Sequence, residues 1–223
     1  MNYPVMLRLE GRSVVIVGGG KVAARKTPDL LNAGARVTII SPALNPALEM
    51  LNAQGVITWQ ATSYAPGQLT VVKPMLVFAA TNSPAVNQQV AAEAESLGIL
   101  VDVVDESAAS DFSSMAALRR GPLTVAIATE GASPALTAHL RRKLDAMVGD
   151  EYTTLATWLA KLRPFVRANI ASENERCALW QEIIDSPILD DLRSRDEDSA
   201  RALLDSLLSN ALSTNETHQQ TSG

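Results

Sequence analysis

The chain has 223 residues, 47% of them apolar and 19% charged, with a net charge of −5. This composition suits a folded protein with a sizeable core, contains no apolar run as long as a membrane span, and argues against nucleic acid or a membrane as partner. Cys177 is the only cysteine, which excludes an internal disulfide and a cysteine-rich metal site and fits a reducing cytoplasm.

The opening residues are no signal peptide, because a strand begins almost at once. Residues 14–17, Val-Val-Ile-Val, form a β-branched run and read as the first strand. Gly18, Gly19 and Gly20 follow. A helix-forming stretch over 21–33 comes next, stopped by Gly34, with Pro28 inside it as a kink or a late start. Residues 36–40 are the second strand, 47–54 a short helix closed by Gly55, and 56–60 a third strand. Residues 75–79 are a continuous apolar run, as expected of a buried parallel strand. Residues 83–97 are helical, Gly98 ends them, and 99–104 form a fifth strand. Alternating βα units of this kind imply a Rossmann-like α/β fold, a parallel sheet with helices on both faces.

Beyond Asp105 the pattern changes. Residues 123–128 alternate like a strand exposed on one side. Ser133-Pro134 is a strong helix start, with Ser as N-cap and Pro as first helical residue. Leu136, Leu140, Leu144 and Met147 then fall at helical spacing. From 151 onward the chain reads as helices over 152–170, 172–184 and 199–212. The polar end suggests a disordered tail. The expected domains are therefore 1–113 for the nucleotide, a segment over 114–150, a small all-helical domain over 151–212, and a tail over 213–223.

Strand, glycine turn, helix is the context that makes a glycine pattern a dinucleotide-binding site. A βα turn can carry glycines for backbone reasons alone, but three in a row favour the nucleotide. Gly18 makes the tight turn. Gly20 lets the backbone approach a pyrophosphate, and Ala23 takes the third small position, where helix and strand pack closely. Gly19, Lys21 and Val22 complete the turn, and the pyrophosphate sits on N–H groups at the helix start. An NAD site ordinarily has a carboxylate at the end of the second strand. Here that strand ends in Ser41-Pro42, so the residues leave NAD against NADP open. Ser41 can bond a ribose hydroxyl; Lys21 and Arg36 are near but not clearly placed for a 2′-phosphate. Ala80, Thr81 and Asn82 stand at the carboxyl edge of the sheet, where ligands bind, and Thr81 and Asn82 also suit a helix N-cap.

With these residues laid out, the chain resembles the precorrin-2 dehydrogenase family, the N-terminal module of siroheme synthases. The resemblance is carried by Val-Gly-Gly-Gly-Lys-Val-Ala-Ala-Arg-Lys (17–26), Ala-Ala-Thr-Asn (79–82), Val-Val-Asp (103–105), Arg-Arg-Gly-Pro-Leu-Thr-Val-Ala-Ile-Ala-Thr (119–129), Ser-Pro-Ala-Leu (133–136) and Leu-Arg-Arg-Lys-Leu (140–144). It implies NAD-dependent oxidation of precorrin-2 to sirohydrochlorin. It also implies a homodimer, with the Arg-Gly-Pro-Leu region and the following helix at its interface, which makes 114–150 the dimerisation segment. Some members also insert ferrous iron, and no residue here decides that activity.

Oxidising a reduced tetrapyrrole needs a hydride acceptor and a base. Asp105 follows the fifth strand at the sheet's carboxyl edge, and the family's catalytic aspartate falls on it. Arg119, Arg120, Thr129 and Ser133 are candidates for holding substrate carboxylates, the last two through a loop opening onto a helix N-terminus. Arg141, Arg142 and Lys143 serve equally as cations near a helix C-terminus. His139 reads as a surface residue, Asp111 as structural, and no metal site is expected. The chain departs from the family at Asp102, Met115 and Glu130. Asp102 brings a second carboxylate that could alter the charge of the site, and the three departures keep a non-catalytic nucleotide-sensing module as the alternative.

Overall fold

The computed structural model describes residues 2–221, with side chains through Ser213. Two units divide the chain, the first ending at Ser114 and the second starting at Met115.

In the first unit, β1 (Ser13–Val17), β2 (Arg36–Ile40), β3 (Thr58–Gln60), β4 (Leu76–Ala79) and β5 (Leu100–Val103) form one parallel sheet in the order β3-β2-β1-β4-β5. Residues 14–17 of β1 and all of β4 are buried, as expected where helices cover both faces. One face packs Val14, Ile16, Val37, Ile39, Leu76 and Phe78 with Ala23 and Leu30 of α1 (Lys21–Asn32) and Leu48 of α2 (Pro46–Ala53). The other packs Val15, Val17, Val77, Ala79, Val101 and Val103 with Leu69 of α3 (Gln68–Val72) and Val90 and Ala94 of α4 (Pro84–Leu97).

Three local features depart from the sequence expectation. Pro28 does not break α1; it sits exposed within the helix, and the neighbouring Thr27 hydroxyl donates to the Ala23 carbonyl at 2.8 Å. The N-cap of α4 is Ser83, whose hydroxyl accepts from Val86 N, rather than Thr81 or Asn82. The 5-residue α3 was not foreseen, since it is too short to show a period between Gly67 and Lys73.

Helix α3 is held by a carboxylate from α4. Glu93 accepts from the amides of Gly67, Leu69 and Thr70 at 2.9–3.2 Å and from the Tyr64 hydroxyl. Burial opposes the charged form of Glu93. The bond from Tyr64 and those backbone amides outweigh it and hold the carboxyl below the usual range. Burial, with the Glu93 carboxylate beside it, pushes the Tyr64 phenol above its usual range.

The open edge of β5 is closed by its own chain. Asp111 N donates to Val101 O at 2.8 Å, and the Asp111 carboxylate accepts from Val101 N at 2.9 Å. Ser110 Oγ accepts from Val103 N at 2.9 Å. This is the structural role foreseen for Asp111.

In the second unit β6 (Ala116–Arg120) and β7 (Leu123–Ile127) pair antiparallel around Gly121-Pro122. The sequence showed only β7, because the Met-Ala-Ala start of the hairpin carries little strand signal. Helix α5 (Pro134–Met147) follows, then α6 (Asp150–Asn169), α7 (Glu173–Asp185), α8 (Ile188–Arg193) and α9 (Glu197–Thr221). The last four share a core of Leu155, Trp158, Val166, Ile183, Ile188 and Leu204. The hairpin and α5 fall in the same compact unit as these helices. At the turn, a Cβ on Gly121 would come within 2.6 Å of Thr153 Cγ2 on α6. Helix α9 continues to Thr221, through much of the segment read as a tail, because no Gly or Pro interrupts 197–221. Residues 222–223 of that expected tail lie outside those described.

Glu93→Gln should destabilise the first unit by about 1–3 kcal/mol, the scale of hydrogen bonds to a charged group. The Glu93 carboxyl is lowered in the folded state, so its contribution is full above the unfolded-state value and fades as pH falls through the folded one. Urea midpoints measured from neutral to acid pH should therefore converge for wild type and variant at the acid end.

Candidate functional site

The strand order reverses direction between β1 and β4, so a crevice opens above their carboxyl ends. A cleft of about 650 Å³ lies there, lined by residues 17–21, 40–45, 63–64, 80–83 and Val86. Lys21 is the only charged residue of that lining, which contains no carboxylate.

The three glycines do different things. Gly18 has φ +116°, and a Cβ on it would lie 2.3 Å from the Ala80 carbonyl oxygen. A Cβ on Gly19 would lie 2.1 Å from the Ala43 carbonyl oxygen. Both positions are thus closed by backbone from the neighbouring strand ends. A Cβ on Gly20 would meet no protein atom within 4 Å. Gly20 is also the N-cap of α1, with no side-chain cap, and the first bond into the helix runs from Ala24 N to Gly20 O at 3.0 Å. The amides of residues 21–23 precede that bond and are donors for an anion. Open space at Gly20, bare amides and one cation fit a dinucleotide pyrophosphate.

The loop after β2 is bound to the glycine turn through Asn45 N, which donates to Gly19 O at 2.7 Å. Ser41 is buried there; its hydroxyl donates to Ala43 O at 2.7 Å, and its carbonyl accepts from Trp59 Nε1 at 2.9 Å. The Ser41 hydroxyl proton is therefore committed within the loop, and toward a ribose it offers lone pairs only. Thr81 is likewise engaged: its hydroxyl donates to Asn87 Oδ1 at 2.7 Å, and its amide donates to the same oxygen at 3.1 Å. These bonds shape the β4–α4 loop that lines the cleft with Ala80 and Asn82.

Of the residues expected to hold the nucleotide, Gly18, Gly19, Gly20, Lys21, Ser41, Pro42, Ala80, Thr81 and Asn82 line the cleft. Val22 and Ala23 do not. Ala23 is wholly buried in the core against the sheet, which is the close-packing role of the third small position. Among the lining residues that sequence reasoning missed are Ala43, Leu44, Asn45, Ser63 and Tyr64, with Val17, Ile40, Ser83 and Val86. Asn45-Pro46 carried a legible signal as N-cap and first residue of α2, and the Asn45 side chain does accept from Ala47 N at 3.0 Å. Tyr64, packed in the core of that sheet face, donates its hydroxyl to Glu93.

Asp105 follows β5 in a turn closed by Glu106 N donating to Val103 O at 3.1 Å. Its φ is +63°, a left-handed conformation in which Asp is among the commoner non-glycine residues. It is exposed and stands at the same edge of the sheet as the cleft, outside its lining. β5 is two strands from β1, on the order of 10 Å away. Asp102 does not add a bare charge to this edge. It is buried and paired with Lys26 Nζ at 2.9 Å.

Arg119, Arg120, Thr129 and Ser133 belong to the second unit. Arg120 donates to Asp145 Oδ1 at 2.7 Å and to Val148 O at 3.1 Å, so it ties down the end of α5. Ser133 caps α5 by accepting from Leu136 N at 3.1 Å, and Thr129 Oγ1 accepts from Ser133 N at 3.2 Å. These three side chains are engaged inside their own unit. Arg119, His139, Arg141, Arg142 and Lys143 are exposed. Among the described residues, no group of three or more His, Cys, Asp and Glu is arranged to hold a metal ion, and no helix is long and apolar enough to cross a membrane.

Comparison with known proteins agrees with this anatomy. Residues 5–116 match the family described as "Putative NAD(P)-binding", 120–147 the sirohaem biosynthesis protein central region, and 151–208 the sirohaem synthase dimerisation region. The name of dimerisation thus falls on 151–208, whereas 114–150, the segment expected to make the dimer, overlaps the central region. Siroheme synthase 1 of Aeromonas salmonicida is 40% identical over 209 residues, covering 93% of this chain and 44% of that protein. The siroheme synthase of Chromobacterium violaceum is 37% identical over 200 residues, covering 90% of this chain and 42% of that protein. The chain therefore spans less than half the length of these relatives. Among solved structures, SirC, a precorrin-2 dehydrogenase, matches with a TM-score of 0.73 at 28% identity, covering 93% of this chain and 100% of that one.

The glycines give a paired test. Gly20→Ala should keep the thermal midpoint within a few degrees and lose at least about tenfold in NAD affinity by calorimetric titration, because the added methyl fills only ligand space. Gly18→Ala should cost more than about 3 kcal/mol in urea unfolding, since its Cβ meets backbone.

Proposed function

The chain belongs to the NAD(P)-binding family of the sirohaem synthase modules, and on that premise we propose that it oxidises precorrin-2 to sirohydrochlorin with NAD. The observation that carries this reading is the cradle at Gly20, bare of any Cβ contact, on the same sheet edge as Asp105. NAD, when bound, accepts a hydride. The amides of residues 21–23 and the Lys21 ammonium hold its pyrophosphate, and the loops at 41–45 and 80–83 frame the rest.

Asp105 takes the proton that leaves the macrocycle as the hydride departs. Three things support the assignment. Asp105 follows β5 at this edge of the sheet, the turn closed by Glu106 N on Val103 O displays it, and its side chain is exposed. The substrate carries many carboxylates, and α5 of the second unit displays exposed cations, Arg141, Arg142 and Lys143, of the kind that bind carboxylates.

The protein works as a homodimer in this reading. The dimerisation region over 151–208 supports it. So does α5, which has no buried residue and leaves Leu136, Leu140 and Met147 at 49%, 37% and 67% exposure. The single exposed thiol, Cys177, fits a reducing compartment such as the cytoplasm.

Purified protein with precorrin-2 and NAD should develop the absorption of sirohydrochlorin together with that of NADH. Asp105→Asn should lower kcat by on the order of a hundredfold or more while NAD affinity holds, the usual scale for a general base. Turnover untouched by the substitution would remove Asp105 as the base, and no NAD-dependent change in the wild type would remove the reaction.

A further inference from the structure

One ammonium group grips both ends of the segment that displays Asp105. Lys26, in α1, donates to Asp102 Oδ2 at 2.9 Å and to Ser114 Oγ at 2.9 Å. Asp102 lies on β5 before Asp105, and Ser114 ends the loop after it. The pair is covered, with side-chain exposures of 14% and 11%. The Lys26 ammonium also stands 4.7 Å over the Phe78 ring of β4, and Phe112, from the same loop, meets that ring edge-on at 5.3 Å. Ser110 and Asp111 hold the middle of the loop to β5.

A surface ion pair contributes little, but one this covered leaves a costly unpaired charge when either partner is removed. Lys26 is also on the helix whose first amides face the cleft. It therefore joins two parts that a hydride-and-proton reaction must keep in register: the cofactor cradle at the start of α1 and the carboxylate beyond β5.

We propose that Lys26, through Asp102 and Ser114, is a positioning residue that sets where Asp105 stands relative to the glycine turn. The proposal rests on the reading of Asp105 as base. A salt bridge that served only the fold would lower stability without changing catalysis selectively.

The test uses Lys26→Met and Asp102→Asn in the full chain. The second keeps a hydrogen-bond acceptor of the same shape and removes only the charge. Hydrogen–deuterium exchange should rise in residues 104–112 and stay as in wild type in β1 and β2. NAD affinity and the KM for NAD should hold, while kcat on precorrin-2 falls tenfold to on the order of a hundredfold, the effect of a small misplacement. Lys26→Arg should recover part of that loss. If Lys26→Met does not fold, Ser114→Ala, which removes one bond at an exposed residue, carries the same exchange measurement. Exchange that is unchanged at 104–112, or raised evenly through the first unit, overturns the proposal, as does a kcat equal to wild type. A wild-type chain inactive on precorrin-2 overturns the reading of the reaction, and the exchange result then decides the clamp by itself.

Discussion

The first unit is organised around the absence of two Cβ atoms. Gly18 and Gly19 let the end of β1 lie against the carbonyls of Ala80 and Ala43, at distances no side chain allows. That approach brings the exits of β1, β2 and β4 together. The loop after β2 is then secured by Asn45 on Gly19, and the loop after β4 by Thr81 on Asn87. Gly20, by contrast, stands clear, with no protein atom within 4 Å of where a Cβ would lie. The first two glycines are demands of packing and the third meets no such demand, although the sequence writes all three alike.

The shape of the sheet edge depends on groups farther from the cleft. Glu93 gathers donors from α3 and Tyr64 and so sets one wall of the cleft from a helix behind it. Lys26 does the same for the loop beyond β5. In both cases one charged group holds several partners at once, which fixes geometry more than it adds net stability. Among the described residues whose side chains are not exposed, no buried polar side-chain atom lacks a partner.

Much of the first unit was legible in the sequence because its elements follow simple periods. β1, β2 and β4 are apolar runs, and Gly34, Gly55 and Gly98 follow α1, α2 and α4, each with a positive φ. The lining of the cleft at the glycine turn was legible for the same reason: strand, glycines and helix lie adjacent in the chain. What could not be read depends on long-range partners. Helix α3 exists as built because Glu93, more than 20 residues away, supplies its N-terminal bonds. Asp102 looked like an extra charge because its partner, 76 residues away, carries no local signal. Arg120 and Thr129 looked available for substrate because the groups they bind, Val148 and Thr137, lie beyond any short pattern. In the second unit β6 was hidden by its alanines, and α9 ran past its expected end because a polar composition without glycine or proline is still compatible with helix.

The closure of the β5 edge by Ser110 and Asp111 reaches beyond the sheet itself. Asp111 offers one amide and one carboxylate in the places where a sixth strand would offer its amide and carbonyl. The edge is thus saturated by a counterfeit strand one residue long. A sheet terminated in this way cannot grow by recruiting an extended segment from another molecule, so this flank resists the edge-to-edge pairing that seeds aggregates. Self-association through this unit is thereby steered away from backbone pairing at β5 and toward contacts between side chains, which can be specific and can saturate.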